Sequence, residues 1–287
     1  MLRRVVIVLS ASLLVVPGLT AAAAGPPSFS LPDQASEVAP GVFFLGHAVQ
    51  DGVALVGYAY ARQATADEGG RRANAKPPGT PGGGGGNGGG GGGGEETDPA
   101  SCYSYIANGS KWNTPESYLL NPANIGGVDV SGANDAFGTW EAAAGTNIVG
   151  SGATTNAELV ADTSGTDGLN EIYFASITDA NVLGYAIVWS TRSRGPFVGQ
   201  IVEADMVIDS DAEWSWYTGA NAGGIVGGQI DFWSVFAHEA GHWVGMGHTD
   251  TTELCTEQTM YPSISSGDSD KRVLGVGDEA GVLALYP

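Results

Sequence analysis

The chain has 287 residues, which is enough for one sizeable domain with extensions or for two small domains. It is strongly acidic, with 31 Asp+Glu against 11 Lys+Arg and a formal net charge of −20. Such a chain repels the phosphates of nucleic acids and anionic lipid surfaces, so we expect neither as a partner. Its hydrophobic content of 43% is sufficient for a buried core.

The N-terminus has the pattern of a secretory signal peptide over residues 1–24. Met1–Arg4 is basic, Val5–Val16 is apolar, and the small residues Ala21–Ala24 follow. The apolar run is shorter than the roughly 20 residues that a membrane-spanning helix needs. We therefore predict a secreted, extracellular protein that has no membrane contact after removal of the signal, and we expect a monomer.

Residues 25–62 are predicted to form a β-hairpin, which is also a candidate for a removable pro-segment. Two apolar runs flank Gln50-Asp51-Gly52, and Asp-Gly is typical of a tight hairpin turn. One hairpin alone is marginally stable, so this one either docks on the main domain or belongs to a segment that is removed. Residues 63–98 are rich in Pro and Gly and are predicted to be a flexible linker.

Residues 99–287 are predicted to form the working domain. Helices are expected after a cap at Ser131, at Phe232–Val244 with Asp231 as its cap, and at Gly277–Tyr286. Strands are expected at Ser117–Leu120, Glu171–Ile177, Leu183–Ser190 and Ile201–Ile208. Helices mixed with a run of strands indicate a sheet domain of the α/β or α+β class.

The two cysteines, Cys102 and Cys255, are predicted to form a disulfide. An even and sparse count in an exported protein favours pairing. The bridge would tie the start of the main domain to a loop near its end.

The segment AHEAGHWVGMGHT carries residues with metal chemistry. His238 and His242 are four residues apart, so both side chains leave one face of the predicted helix. Glu239 lies about 100° further round, close to a bound ion without being a ligand. At Gly245 the helix can end in a left-handed turn, which would bring back His248 as a third ligand. Three protein ligands leave one position open for water, which predicts one catalytic Zn²⁺.

The pattern H-E-x-x-H-x-x-G-x-x-H resembles the zinc signature of the metzincin metallopeptidases. The Met-Tyr-Pro of TMYPS, at Thr259–Ser263, looks most like the matrixin branch, the matrix-metalloproteinase-like enzymes, in a prokaryotic form. Three further segments, AFGTWE, IVEADMVIDSDAEW and GDEAGVLALYP, extend the resemblance over most of residues 100–287. It implies an α+β metzincin-like catalytic domain, with a twisted mixed sheet, an active-site helix and a small C-terminal subdomain after the third histidine.

The resemblance also implies an activity, which is zinc-dependent endopeptidase. Glu239 would be the general base for a zinc-activated water, and Met260 would form an apolar floor beneath the zinc. Leu183–Ser190 would be an edge strand that pairs with protein or peptide substrates through its backbone. The substrate-binding candidates are then Leu183, Gly184, Tyr185, Ala186, Tyr261 and Pro262.

The chain departs from the matrixin pattern in several respects. Only His47 remains outside the motif, so no histidine of the main domain is left for a second, structural zinc. Ca²⁺ is possible at the acidic residues, but a solvated loop explains them equally well; these residues are Asp205, Asp209, Asp211 and Glu213. Cys102 lacks the Pro-Arg-Cys-Gly context of a cysteine switch, so such a switch is only the alternative to the disulfide. The functional alternative is a non-catalytic, metzincin-like surface or interaction protein.

Overall fold

The computed structural model describes residues 26–65, 98–106, 109–192, 199–211 and 213–287. The predicted signal peptide and most of the predicted linker lie outside the described residues. Within these ranges, no helix has the length and apolar character needed to cross a membrane.

The described residues form an α+β fold, as the sequence predicted. The α-helices are α1 (Val130–Ala144), α2 (Phe232–Trp243) and α3 (Val276–Leu285). The first seven strands are β1 (Ser28–Phe29), β2 (Ser36–Ala39), β3 (Val42–Gln50), β4 (Val53–Ala64), β5 (Ser104–Tyr105), β6 (Glu116–Leu120) and β7 (Val149–Thr154). The others are β8 (Glu171–Ile177), β9 (Val182–Thr191), β10 (Ile201–Asp209), β11 (Trp216–Tyr217), β12 (Ile230–Asp231), β13 (Met246–Gly247) and β14 (Ser263–Ile264).

Most of the strands belong to one mixed, twisted sheet of ten strands. Its main order is β2-β3-β4-β9-β10-β8-β6-β7, with β1 beside β8 and β14 beside β4. β9 runs antiparallel to both β4 and β10, whereas β8 runs parallel to β10 and β6. The N-terminal strands therefore extend the main sheet.

The predicted hairpin is present as β3 and β4, joined at Asp51-Gly52. Both turn residues have positive φ, 51° and 81°, which is the backbone of a tight hairpin turn with the twist of its strands. β4 continues two residues past the predicted end of the hairpin, because the N–H of Gln63 finds an acceptor in the carbonyl of Pro262 at 3.1 Å.

The helix caps were predicted with mixed success. Asp231 caps α2 as predicted, its carboxylate accepting the N–H of Ser234 at 2.9 Å. The prediction for α1 was wrong, because the cap is Asp129 and not Ser131. Asp129 has extended backbone and accepts the N–H of Gly132 at 2.9 Å, so the helix starts two residues earlier.

Two apolar layers lie on opposite faces of the sheet, because alternate residues of each strand point to opposite sides. The layer under the helices contains Phe137, Trp140 and Trp243. The opposite layer packs Leu55 of β4 against the far face of β9. The predicted disulfide is confirmed, with the Cα atoms of Cys102 and Cys255 5.4 Å apart.

Candidate metal centre

Helix α2, which carries two of the predicted ligands, is held at several points along its length. The carboxylate of Asp231 caps its first turn. In the middle, the indole Nε1 of Trp140 donates to the carbonyl of Ala237 at 2.9 Å. At the end, Nε1 of Trp112 donates to the carbonyl of Trp243, also at 2.9 Å. Such anchoring keeps the side chains of α2 in fixed positions.

The three predicted histidine ligands come together. One ligand nitrogen of each of His238, His242 and His248 lies within 4.8 Å of the others. The Nε2 atoms of His238 and His242 are 3.1 Å apart, and both side chains are fully buried. Gly245 has a φ of 104°, so the chain reverses after α2 as predicted and returns His248 to the helix.

Backbone carbonyls orient two of the three rings. Nδ1 of His238 lies 2.7 Å from the carbonyl oxygen of Thr259, and Nδ1 of His242 lies 2.8 Å from that of Met246. A carbonyl only accepts, so Nδ1 carries the proton in both rings and Nε2 keeps its lone pair. These residues therefore fit a zinc ion, which takes neutral imidazole nitrogens as ligands.

Burial lowers the pKa of all three histidines, and the charge of Arg62 lowers it further; neighbouring imidazoles add to the shift for His238 and His242. For His248, the pKa falls to about 4. The neutral form that binds metal is therefore the form that the fold favours.

Glu239 is a buried carboxylate next to the histidines, and no side-chain or backbone group completes a hydrogen bond with either of its oxygens within the described residues. Burial raises its pKa well above the usual range, while the charge of Arg62 and the nearby N–H groups of Arg62 and Ala186 oppose that rise. A Cβ at Gly184 would lie 3.2 Å from Oε1, so the glycine leaves room for the carboxylate. A buried carboxylate whose neutral form is favoured by desolvation can take up a proton in the cleft.

Met260 lies fully buried below α2. Its sulfur and the indole of Trp140 occupy the space that a side chain at Gly241 would need. This agrees with the predicted packing role of the glycine, and the floor role of Met260 stays a prediction.

Asp278 in α3 holds the turn that contains Met260, a role that the sequence analysis missed. Its carboxylate accepts the N–H of Thr259 at 2.6 Å and that of Met260 at 3.2 Å. Burial raises the pKa of Asp278 to about 6. The only sequence signal was an acidic residue in the first turn of a helix, which is common without any further role.

The strand that the resemblance assigned to substrate binding does not lie at an edge of the sheet. β9 pairs with β10 on one side and with β4 on the other, with Gly184 opposite Arg62 and Tyr185 opposite Ala61. The expectation of a free edge is thus wrong for this structure, because a twelve-residue N-terminal strand covers it. The four candidates of β9 are buried, and β4 lies beside them in the sheet; they are Leu183, Gly184, Tyr185 and Ala186.

Arg62 of β4 is fully buried beside the metal centre. Its Nη1 lies 3.0 Å from Nδ1 of His238 and 3.5 Å from the carbonyl of Thr259. Because Nδ1 already carries a proton, the first contact brings two donors together, and only the carbonyl can accept. Nε and Nη2 have no partner among the described residues, and burial lowers the pKa of Arg62 to about 10.

The acidic residues considered for Ca²⁺ accept backbone hydrogen bonds in the structure. Asp205 accepts the N–H groups of Asp162 and Glu171 at 2.8 and 3.0 Å, and Asp209 accepts that of Ile177 at 3.2 Å. A different group brings its carboxylate oxygens within 4.8 Å of one another, namely Asp162, Asp167 and Glu203. Calcium binding stays a prediction.

Comparison with known families agrees with the geometry of the site. Residues 189–287 match the model of the matrixin family. The matched part begins near the end of β9 and contains the three histidines, Met260 and Asp278. No curated protein matches the chain.

Proposed function

We propose that this chain, a matrixin-like metzincin by its residues 189–287, is a secreted zinc endopeptidase. His238, His242 and His248 would hold one Zn²⁺, with Glu239 as the general base. The observation that carries the proposal is the convergence of three imidazoles beside the buried carboxylate of Glu239. The family match supports metallopeptidase activity in general.

The surrounding residues suit hydrolysis of a peptide bond. Bound zinc would polarise the scissile carbonyl and lower the pKa of a water molecule. Glu239 takes a proton from the attacking water and delivers it to the leaving amine. Its raised pKa suits both transfers, since the carboxyl can hold a proton in the cleft. Thr259 and Met246 keep the imidazoles in the ligating tautomer through their carbonyls.

Protein or peptide substrates would bind as an extended strand. The backbone of β9 offers one wall of the cleft, and the residues after Met260 offer the other, including Tyr261 and Pro262. We assign the residues after His248 to a small C-terminal subdomain that forms this second wall. A substrate on β9 takes the place that β4 occupies.

The proposal is tested with Glu239→Gln, which removes the base and keeps the shape of the side chain. We expect the variant to keep one zinc per chain and to lose about 10²–10⁴-fold in activity on casein and on a mixed peptide library. Glu279→Gln makes the same change on an exposed residue of α3 and is expected to retain activity. If the wild-type protein carries zinc but does not cleave casein, the peptide library or its own chain, the non-catalytic alternative is correct.

A further inference from the structure

Strand β4 lies in the cleft as an extended peptide held from both walls. It runs antiparallel to β9 and parallel to β14. The N–H of Gln63 donates to the carbonyl of Pro262 at 3.1 Å, on the wall that follows Met260. The next N–H, that of Ala64, donates to the carbonyl of Asn181 at 2.9 Å, on the β9 side. This two-sided pairing is the contact that a bound substrate strand would make.

One peptide bond of β4, between Ala61 and Arg62, faces the metal centre. Arg62 lies opposite Gly184, and its N–H is one of the two that face the Glu239 carboxylate. The carbonyl oxygen of Ala61 lies on the histidine side. This oxygen and Cε1 of His248 lie next to the same point, the position that a Cβ at Gly41 would occupy. The oxygen is 3.1 Å from that point and Cε1 is 3.2 Å from it.

These positions match the needs of hydrolysis. The carbonyl that is attacked has to lie at the metal, and the nitrogen that leaves has to lie within reach of the proton donor. Ala61 supplies the carbonyl on the histidine side, and Arg62 supplies the nitrogen on the Glu239 side. The tyrosine before this bond, Tyr60, stacks on the His242 ring with centroids 4.6 Å apart, which fixes the strand over the site.

The side chain of Arg62 occupies the pocket next to this bond. Burial disfavours the charged guanidinium there, and the carboxylates of Glu239, Asp268 and Asp278 partly offset this cost. Even so, Nε and Nη2 of Arg62 have no direct partner there. Nearby carboxylates favour a basic side chain over an acidic one, and a single long hydrogen bond from Nη1 to the carbonyl of Thr259 still allows it to leave, which suits a transient occupant.

We propose that the Ala61–Arg62 peptide bond is the chain's own cleavage site, and that the adjoining pocket selects arginine or lysine on the carboxyl side of the scissile bond. The inference rests on the proposed function. The oxygen of one water bonds to the carbonyl carbon of Ala61, and the bond from that carbon to the Arg62 nitrogen breaks. Glu239 passes the water's proton to this nitrogen. The products are a carboxylate at Ala61 and a new N-terminus at Arg62.

The test follows the full secreted chain with one equivalent of Zn²⁺ by mass spectrometry under denaturing conditions, which separate fragments that stay paired in the fold. We expect a cut between Ala61 and Arg62 at a rate independent of protein concentration, because the bond already lies in its own cleft. Glu239→Gln is expected to stay intact. Hydrogen exchange gives a second readout, since the cut should expose the amides of residues 63–65 relative to intact Glu239→Gln.

Specificity is tested at the same position. Arg62→Lys should still be cut. Arg62→Glu should be cut at least about tenfold more slowly, because its carboxylate would meet the carboxylates around the pocket. Arg192→Glu is the matched control on an exposed residue and should be cut like the wild type. The peptide VGYAYARQAT, with Arg or with Glu at the Arg62 position, gives the same comparison without any dependence on folding of a variant.

The possible outcomes separate the two proposals. If casein is hydrolysed while the Ala61–Arg62 bond stays intact in both chain and peptide, the inference is wrong and the endopeptidase proposal stands. If zinc-loaded protein cuts none of them, both are wrong. Equal cleavage of the Arg and Glu peptides would refute the basic pocket.

Discussion

The helix side and the strand side of the cleft are held in different ways. On the helix side, Nε1 of Trp140 and the Nδ1 atoms of His238 and His242 all bond to backbone carbonyls. On the strand side, β4 is held by backbone pairing and apolar packing, while Arg62 buries two nitrogens that have no hydrogen-bond partner in the described part of the chain. The helix side therefore has hydrogen bonds that do not involve β4, whereas another extended chain could replace β4 in the sheet. Four changes test this contrast.

The largest effect is expected from removal of the disulfide, which ties the segment before β5 to the segment before the Met260 turn. Cys102 and Cys255 are separated by 153 residues, so the bridge restricts a long loop of the unfolded chain. Replacing both with Ser should lower the free energy of unfolding by about 4–5 kcal/mol. The urea midpoint measures the loss. Reduction of the disulfide in the wild type should lower the urea midpoint by the same amount. An unchanged midpoint in the variant would contradict the predicted stabilisation.

The next effect is a pH dependence at Glu203 on β10, the strand next to β9. Burial raises the pKa of Glu203 to about 9, so the folded state binds more protons than the unfolded state between pH about 4.5 and about 9. Stability from this group is present at acid pH and is lost as pH rises, at up to about 1.4 kcal/mol per pH unit.

Glu203→Gln is expected to flatten this dependence, because the amide stays neutral. Urea unfolding at pH 6 and pH 8 in a chelator measures the difference, and Glu279→Gln is the exposed control. Equal slopes for wild type and Glu203→Gln would contradict the assignment. If added Ca²⁺ removes the pH dependence, calcium binds at Asp162, Asp167 and Glu203 and not at the acidic residues considered from the sequence.

A third change, Gly241→Ala, breaks the helix side alone. The new methyl would meet the sulfur of Met260 and would lie 2.6 Å from Cζ2 of Trp140. We expect a loss of about 1–3 kcal/mol in stability and weaker zinc binding, measured by denaturation and by metal competition. Gly138→Ala on α1 is the matched control, since its Cβ meets nothing within 4 Å. The control should stabilise by about 0.5–1 kcal/mol, and equal effects of both would refute the packing argument.

The smallest effect is expected from Gly57→Ala, which loosens the strand side alone. A Cβ there would lie 2.7 Å from the ring of Trp189 on β9, so β4 should pair less tightly. A loss of about 1 kcal/mol in docking should speed hydrolysis of an added peptide about fivefold. Val53→Ala on an exposed part of β4 is the control. An unchanged rate would show that β4 does not compete with substrates.

Local sequence predicted the helix side well, because its information lies in a short segment. The cap Asp231, the histidine spacing and the reversal at Gly245 all fall within or next to α2, and the structure has each of them. The caps of α1 show the limit of such reasoning. Asp129 and Ser131 are both good capping residues, and only the surrounding structure selects between them.

The strand side could not be predicted in the same way. β4 and β9 are distant in the sequence and are largely apolar on both faces. Hydrophobic patterning therefore identifies two buried strands but does not show that they are neighbours in the sheet. Arg62 was the available signal, since a charged residue in an otherwise buried strand needs a special environment. Its environment consists of residues from α2, the Met260 turn and α3, which only the fold brings together.

The bond between Asp278 and the Met260 turn makes the metal centre dependent on the last helix. Two amides of this turn are left without acceptors until α3 has folded against it. A chain that stops before residue 276 would retain every histidine and Glu239 and still lack the support beneath them. During synthesis, the metal centre would therefore reach its final geometry only after the last helix has been made.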